Sequence, residues 1–483
     1  MTSPFSLLLL DPRTIQSSSG VELRLGPVTK SPLNPLFGED RPWESSCDNL
    51  YPNVVFDPAD RFWKLWYTPF LDRAVHEAQT LCYAQSEDGL RWTKPNLGLF
   101  EFRGSKANNI LLPMITGAGV ALDAQESDPS KRFKLTYLVH PRLAPEWAKE
   151  LMAQGYPLPG RGAGVGFSAD GVHWKLHPDN PVLPGIAGDT HNHWLWCEES
   201  RRYILITRAN VPFADGRSRA CRSWKDGRST VIESGSERVV KRWESDDFLH
   251  WGNGQIVFRA EGDEIGRRQY YSMPTFRHGD GWLGLLALFN ATTDDDSVDC
   301  ELAWSPDSIH WQRLCQGASF IPRGVAGSLD GGCIYAGWSP AVVGDEQRIY
   351  YAGSPGTHSA GLQRHTSFLL ATLPLDRFAG LAADGKGEIV TREMVCGGPR
   401  LFLNADASRG RVAVEVRYPD GSPVPGFEFT QCRPLRSDSV RGEVTWEGGC
   451  SLAVLVGRKV CLGLRLETAS LYALEFGVHE APP

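Results

Sequence analysis

Short apolar runs that alternate with polar positions recur along the chain, separated by Gly, Pro, Asp and Asn, which is the pattern of half-buried strands joined by tight turns. The first clear unit is a hairpin. Val54-Val55-Phe56 is an apolar strand, Asp57 to Asp60 a turn, and Phe62 to Tyr67 a strand in which aromatic residues alternate with others. It is followed by Ser86-Glu87-Asp88-Gly89-Leu90-Arg91-Trp92, a turn that closes on a tryptophan. The same succession returns. Gly119–Leu122 and Arg132–Tyr137 lead to Ser168–Trp174. Asn192–Trp196 and Arg202–Ile206 lead to Glu244–Trp251, and Tyr271–Phe276 and Trp282–Leu286 lead to Ser305–Trp311. A last hairpin, Ser339–Val343 with Arg348–Tyr351, ends in Thr366–Leu373 without the tryptophan turn.

Repeated units of about four strands that cannot bury their faces alone predict radial packing around a channel. The expectation is an all-β protein: a five-bladed β-propeller over residues 1–385, then a β-sandwich over 386–483. Gly380–Gly387 reads as the linker, and the alternating runs Pro399–Ala405, Arg411–Val416, Val440–Trp446, Val460–Leu466 and Ser470–Phe476 as the sandwich strands. Two insertions interrupt the repeat. Ala144–Gly155 predicts a short helix, with Pro145 near its start and Gly155 as its stop. Asn210–Val239 predicts a long loop, within a basic stretch from Arg208 to Arg242 whose two readings are a contact for an acidic ligand and a solvated face, the second preferred. In the recurring turns, Ser and Asp are expected to satisfy turn amides while Trp packs between neighbouring sheets, so the turns are assigned no catalysis.

Composition narrows the function. The 483 residues include 16 Trp, 50 Gly and 33 Pro, as a large, turn-rich β protein requires. A net charge of -7 without a long basic run argues against nucleic acid as a partner. No run is long enough to span a bilayer. Phe5–Leu10 has no basic flank and meets Asp11-Pro12-Arg13 at once, so no secretory signal is read and a cytoplasmic location is expected. The 11 Cys form no C-x-x-C pair, which predicts buried thiols with neither disulfide frame nor zinc site. No phosphate loop, dinucleotide fingerprint, G-x-S-x-G or H-E-x-x-H occurs, and no cofactor or metal is expected. Oligomeric state is not encoded in these patterns.

A five-bladed propeller followed by a sandwich resembles the architecture of glycoside hydrolase family 32, the invertases and levanases, and the propeller alone resembles family 43 arabinanases and xylosidases. The Ser/Asp/Trp turns also resemble the Asp-boxes of sialidases, one residue shorter. Cys47-Asp48-Asn49-Leu50-Tyr51 stands where family 32 carries N-D-P-N-G, no R-D-P occurs in the second unit, and Trp196-Cys197-Glu198 inverts the family's E-C order in an outer turn, so Glu198 is not taken as the acid. What the resemblance implies is a glycosidase-type pocket at the channel mouth and a carbohydrate substrate, with furanosides such as fructosides or arabinosides as examples.

Glycoside cleavage needs one protonated carboxyl and one ionised carboxylate. The residues just before each first strand should face the mouth. Asp48 occupies a place resembling that of the first-blade Asp of families 32 and 43, as base or nucleophile; Asp189 and Asp330 are the other expected catalytic carboxylates. Trp43, Glu44, Asn49, His191, Tyr271, Tyr335 and Trp338 are the expected substrate-binding residues, the aromatic ones by stacking on a sugar ring and His191 by bonding a hydroxyl. The alternative is a carbohydrate-binding propeller without catalysis. A sialidase-type reading ranks third, because no set of arginines from several units is recognisable in the sequence.

Overall fold

The computed structural model describes residues 7–72, 79–139, 162–184, 188–213, 215–225, 228–252, 254–361 and 364–477, and these residues are all-β apart from short 3-10 turns. The helix expected over Ala144–Gly155 lies outside the described residues. The first sheet is a four-stranded antiparallel meander of Asn53–Asp57, Phe62–Tyr67, Thr80–Ser86 and Ile110–Pro113. The second begins with Thr116–Leu122, Phe133–Val139 and Gly162–Ser168, and the third consists of His193–Cys197, Arg202–Pro212, Ser236–Ser245 and Gln255–Phe258. The fourth is built on Gly281–Asn290 and Val298–Ser305, the fifth on Cys333–Ala336, Glu346–Ser354 and Ser367–Pro374. A parallel bridge, Val298 to Cys333, joins the last two. Thr29–Lys30 supplies the outermost strand of the fifth sheet, pairing with Thr372 and Ala371.

Contacts between sheets follow chain order and return to the start. Asn53 Nδ2 donates to the Ala118 carbonyl at 3.0 Å. A Cβ on Gly119 would sit 1.7 Å from the Asn192 carbonyl oxygen, so only glycine permits the second and third sheets to approach here. The Thr275 amide donates to His193 Nε2 at 2.9 Å, the Tyr271 and Tyr335 rings lie 5.5 Å apart, and the Trp338 amide donates to the Pro52 carbonyl at 3.2 Å.

The recurring turns complete this order from outside. In the first, Asp88 Oδ1 accepts from the Leu90 and Arg91 amides at 2.8 Å, Ser86 Oγ accepts from the Gly89 amide at 2.9 Å, and Trp92 Nε1 donates to the Gly89 carbonyl. Asp170, Asp247 and Asp307 repeat the arrangement. The turns hold sheet to sheet. Trp66 Nε1 donates to the Gly171 carbonyl at 2.7 Å, Arg242 Nε donates to Ser308 Oγ at 3.0 Å, and the Tyr350 hydroxyl of the fifth sheet donates to the Gly89 carbonyl of the first-sheet turn at 2.9 Å.

Two expectations about organisation are corrected. Gly380–Gly387 is not a linker: Ala379–Thr391 is one continuous strand running through the expected boundary at 385 and 386. It belongs to a ten-stranded sheet with Arg400–Asp406, Arg411–Arg417, Asp438–Trp446 and Lys459–Gly477, which also takes in Leu7–Leu8, Ile15–Ser19 and Glu22–Leu25 from the other end of the chain. Nor is Asn210–Val239 a loop. Arg202–Pro212 pairs with Ser236–Ser245 without a break from Tyr203↔Ser245 to Pro212↔Ser236, and Arg219–Lys225 pairs with Arg228–Ser234 as a second hairpin above them. All 11 cysteines are free thiols, most of them buried.

Candidate functional site

The site is built first on strained backbone. Asp48, Leu50 and Tyr51 have φ of 45°, 55° and 47°, a region that non-glycine residues rarely occupy and that costs about 1–3 kcal/mol each. The surroundings impose it. The Cys47 amide donates to Glu39 Oε1 at 2.6 Å, the Leu50 amide to the Cys47 carbonyl at 2.7 Å, the Thr68 amide to the Leu50 carbonyl at 2.9 Å, and Thr366 Oγ1 to the Asp48 carbonyl. The result sets the Asp48 carboxylate and the Tyr51 ring in the wall of a cavity of about 250 Å³.

Asp189, from the segment before the third sheet, lines the same cavity, as do Thr116, Tyr271, Gln79 and His358. Arg208, Arg222, Arg238 and Arg364 complete the wall. The arginines come from three places. Arg208 and Arg238 sit on the long paired strands of the third sheet. Arg208 pairs with Val240, so Arg238, two residues from Val240, is its diagonal neighbour on one face. Arg222 belongs to the upper hairpin, fixed by its Nε donating to the Thr293 carbonyl at 2.7 Å. Arg364 precedes the last strand of the fifth sheet and is buried.

Charge is arranged in pairs around one phenol. Arg364 Nη1 bonds Asp48 Oδ1, and Arg208 Nη2 contacts Asp189 Oδ1. The Arg208 and Arg238 guanidinium carbons lie 4.7 and 5.3 Å from the Tyr271 ring centroid. Burial pushes the Tyr271 hydroxyl up, but the two arginines outweigh it and its pKa falls below the usual value. Arg238 itself is lowered to about 10, by burial first and by Arg208 second. Burial is the largest single influence on Arg364 and lowers it, but Asp48, Tyr335, Cys333 and Tyr271 together outweigh it, so its pKa is raised and it stays cationic. The Tyr271 oxygen accepts from Asn49 Nδ2 at 3.3 Å, and Tyr51 OH donates to the Asp189 carbonyl at 3.1 Å.

The expected site residues divide sharply. Asp48, Asp189 and Tyr271 share the cavity wall. Asn49 and Tyr335 stand behind it, Asn49 bonding Tyr51 and Tyr271, Tyr335 bonding His358 Nδ1 at 2.9 Å. His191 is buried, held by Asn53 Oδ1 at 2.8 Å, with its pKa lowered by burial to about 3, so it is a neutral ring under Tyr51. The other four lie outside the cavity lining. Asp330 accepts from Tyr351 OH at 2.9 Å and pairs with Lys30 at 2.6 Å. Glu44 is bound by Lys94 at 2.8 Å and Tyr67 OH at 2.6 Å. Trp43 donates to Asn109 at 2.7 Å, and Trp338 packs on Trp194 at 5.6 Å. The basic stretch read as a solvated face is corrected as well: Arg208 is 3% exposed, and with Arg238 it faces the cavity. The cavity gathers four arginines from two units, Arg208, Arg222 and Arg238 from the third with its hairpin and Arg364 from the fifth.

Larger grooves exist at the outer margin, one of about 570 Å³ beside the Ser245–Trp251 turn. Its charges, Arg202, Arg242, Glu244 and Asp246, are already paired with one another. Among the described residues no cluster of His, Cys, Asp and Glu fits a metal ion.

No known family matches the chain, and no curated protein matches it. Solved structures are similar at low identity. A glycoside hydrolase is 12% identical with a TM-score of 0.46, over 77% of this chain and 92% of that one. An N-acetylgalactosamine deacetylase from F. plautii, in complex with blood group B trisaccharide, is 13% identical with a TM-score of 0.45, over 74% and 97%. A glycosyl hydrolase from Bacteroides ovatus is 13% identical with a TM-score of 0.39, over 72% and 94%. Likenesses at this level do not bear on the activity of this chain.

Proposed function

We propose that the protein is a glycoside hydrolase, its first five sheets acting as the blades of a propeller and its reaction taking place in the cavity at their meeting point. The contacts that run from the first sheet through the fifth and back to the first support the propeller reading. One observation carries the function: Asp48 and Asp189, far apart in the chain, line one cavity of a sugar ring's order of size. In this reading Asp48, positioned by Arg364, is the base or nucleophile, and Asp189 is the second carboxylate flanking the bond that breaks. Tyr271 donates the proton to the leaving oxygen, since its own oxygen accepts from Asn49 and two arginines loosen its hydroxyl hydrogen. Tyr51 and Tyr271 offer ring faces to the sugar.

The test is hydrolysis of a panel of aryl pyranosides and furanosides. Asp48→Asn, Asp189→Asn and Tyr271→Phe should each lower turnover about 10³-fold while the chain stays folded, the two aspartate variants melting somewhat lower because each removes the partner of a buried arginine. Wild-type turnover in both aspartate variants, or no release of aglycone by the native chain, removes the proposal. The alternative, carbohydrate binding without catalysis, is favoured by one observation: both cavity carboxylates already hold an arginine.

A further inference from the structure

This inference concerns the charge of the ligand and rests on reading the cavity as a sugar site. Four guanidinium groups line the wall against two carboxylates. Arg364 and Arg208 are each matched by one of those carboxylates. The other two are held by neutral groups, Arg222 by the Thr293 carbonyl at 2.7 Å and Arg238 by the Gln269 side-chain oxygen. Two neighbouring acids are committed elsewhere. Glu237 is paired with Arg259, and Asp296 accepts from the Ser359 amide at 2.8 Å. Among the described residues, Arg222 and Arg238 therefore have no anionic partner.

Such an excess is costly. A charge withdrawn from water loses several kcal/mol of solvation unless an opposite charge replaces it. The depressed Tyr271 hydroxyl reports the same positive field, since burial alone would raise it. Arg364 adds unspent donors: its Nη1 bonds Asp48, while Nε and Nη2 are buried without a hydrogen-bond partner among the described residues. Nε and Nη2 form one edge of the planar fork, the edge that matches the two oxygens of a carboxylate. Asp48 and Asp189 in the same wall disfavour a dianion such as phosphate, and tyrosine faces suit a ring with C–H surfaces.

We propose that the cavity binds a sugar acid, whose carboxylate meets the positive excess carried by Arg222 and Arg238. The upper hairpin then confers specificity, because it brings Arg222 to the wall. The test is calorimetric titration of the full chain with D-glucuronate, D-galacturonate, D-mannuronate and N-acetylneuraminate. Their methyl esters serve as neutral counterparts, and inorganic sulfate and phosphate as bare anions. At least one acid should bind about tenfold more tightly than its ester, and Arg222→Gln and Arg238→Gln should each weaken that binding about tenfold while melting as the native chain does. Equal binding of acid and ester, binding of no acid, binding of sulfate or phosphate as tight as that of the best acid, or unchanged binding in both variants overturns the proposal. Sugar-acid binding without hydrolysis of any glycoside leaves this inference standing and removes the hydrolase; hydrolysis of neutral glycosides without sugar-acid binding does the reverse.

Discussion

At the scale of single residues, the cavity separates side chains that look alike in the sequence. Asp48, Asp189 and Asp330 all precede a first strand. Only the first two reach the cavity, because Lys30 and Tyr351 hold Asp330. Asp330→Asn should thus leave kcat within about twofold of native, yet lower stability by about 2 kcal/mol as the ion pair is lost. Kinetics beside denaturant unfolding separate these outcomes, and a 10³-fold loss of kcat would return Asp330 to the catalytic set. That Asp48 and Asp189 meet in one cavity follows from their places just before the first strands of two sheets whose edges contact each other through Tyr51 and Asp189. The arginines were less legible in the sequence, since charge density alone does not distinguish a solvated face from a cavity wall. A usable signal exists: Arg208 continues the alternation of Ile204 and Ile206, so a charge falls on an apolar face.

At the scale of elements, the Ser-x-Asp turns are the best-read feature of the chain, because their chemistry is local and each is complete within seven residues. They carry a pH signature. In the Asp307 turn burial raises the carboxyl pKa, but the His310 and Ile309 amides, the His310 ring and Ser305 outweigh it, and the value falls from 3.8 to about 2. Asp88, Asp170 and Asp247 are lowered in the same way. A depressed folded-state value contributes stability that is complete above about pH 4 and lost as pH falls through about 2. The Tm difference between native chain and Asp307→Asn should therefore be largest above pH 4 and shrink toward pH 2; a difference constant over that range contradicts the assignment. The strand ends 210–212 and 236–239 and the hairpin 219–225 with 228–234 were misread as a loop because Gly, Ser and Arg dominate 214–236. Pairing with an opposite strand, which no local pattern reports, is what keeps them extended.

At the scale of the molecule, the expected division at 385 and 386 fails because the core is shared. Leu8, Leu10 and Ala473 pack in one apolar cluster with Phe276, Leu283, Phe320 and Phe378. Arg377 Nε donates to Asn404 Oδ1 at 2.7 Å, and Asn404 Nδ2 to the Leu375 carbonyl at 2.6 Å across the same seam. Deleting residues 1–30 removes strands from both the ten-stranded sheet and the fifth sheet. Calorimetry of that variant should show a lowered Tm for the whole protein, whereas loss confined to one of two separate transitions would mean that the halves fold independently. The all-β class was legible from periodicity; the return of the first residues to the last sheet was not, because short strands carry no address.

That return has a consequence for biosynthesis. Leu7 pairs with Leu474 and Ser19 with Glu388. On the ribosome, residues 7–19 therefore wait for partners that are hundreds of residues away in the chain. This sheet cannot close until those partners have been made, and such long-range closure is slow and leaves apolar strands open to aggregation meanwhile.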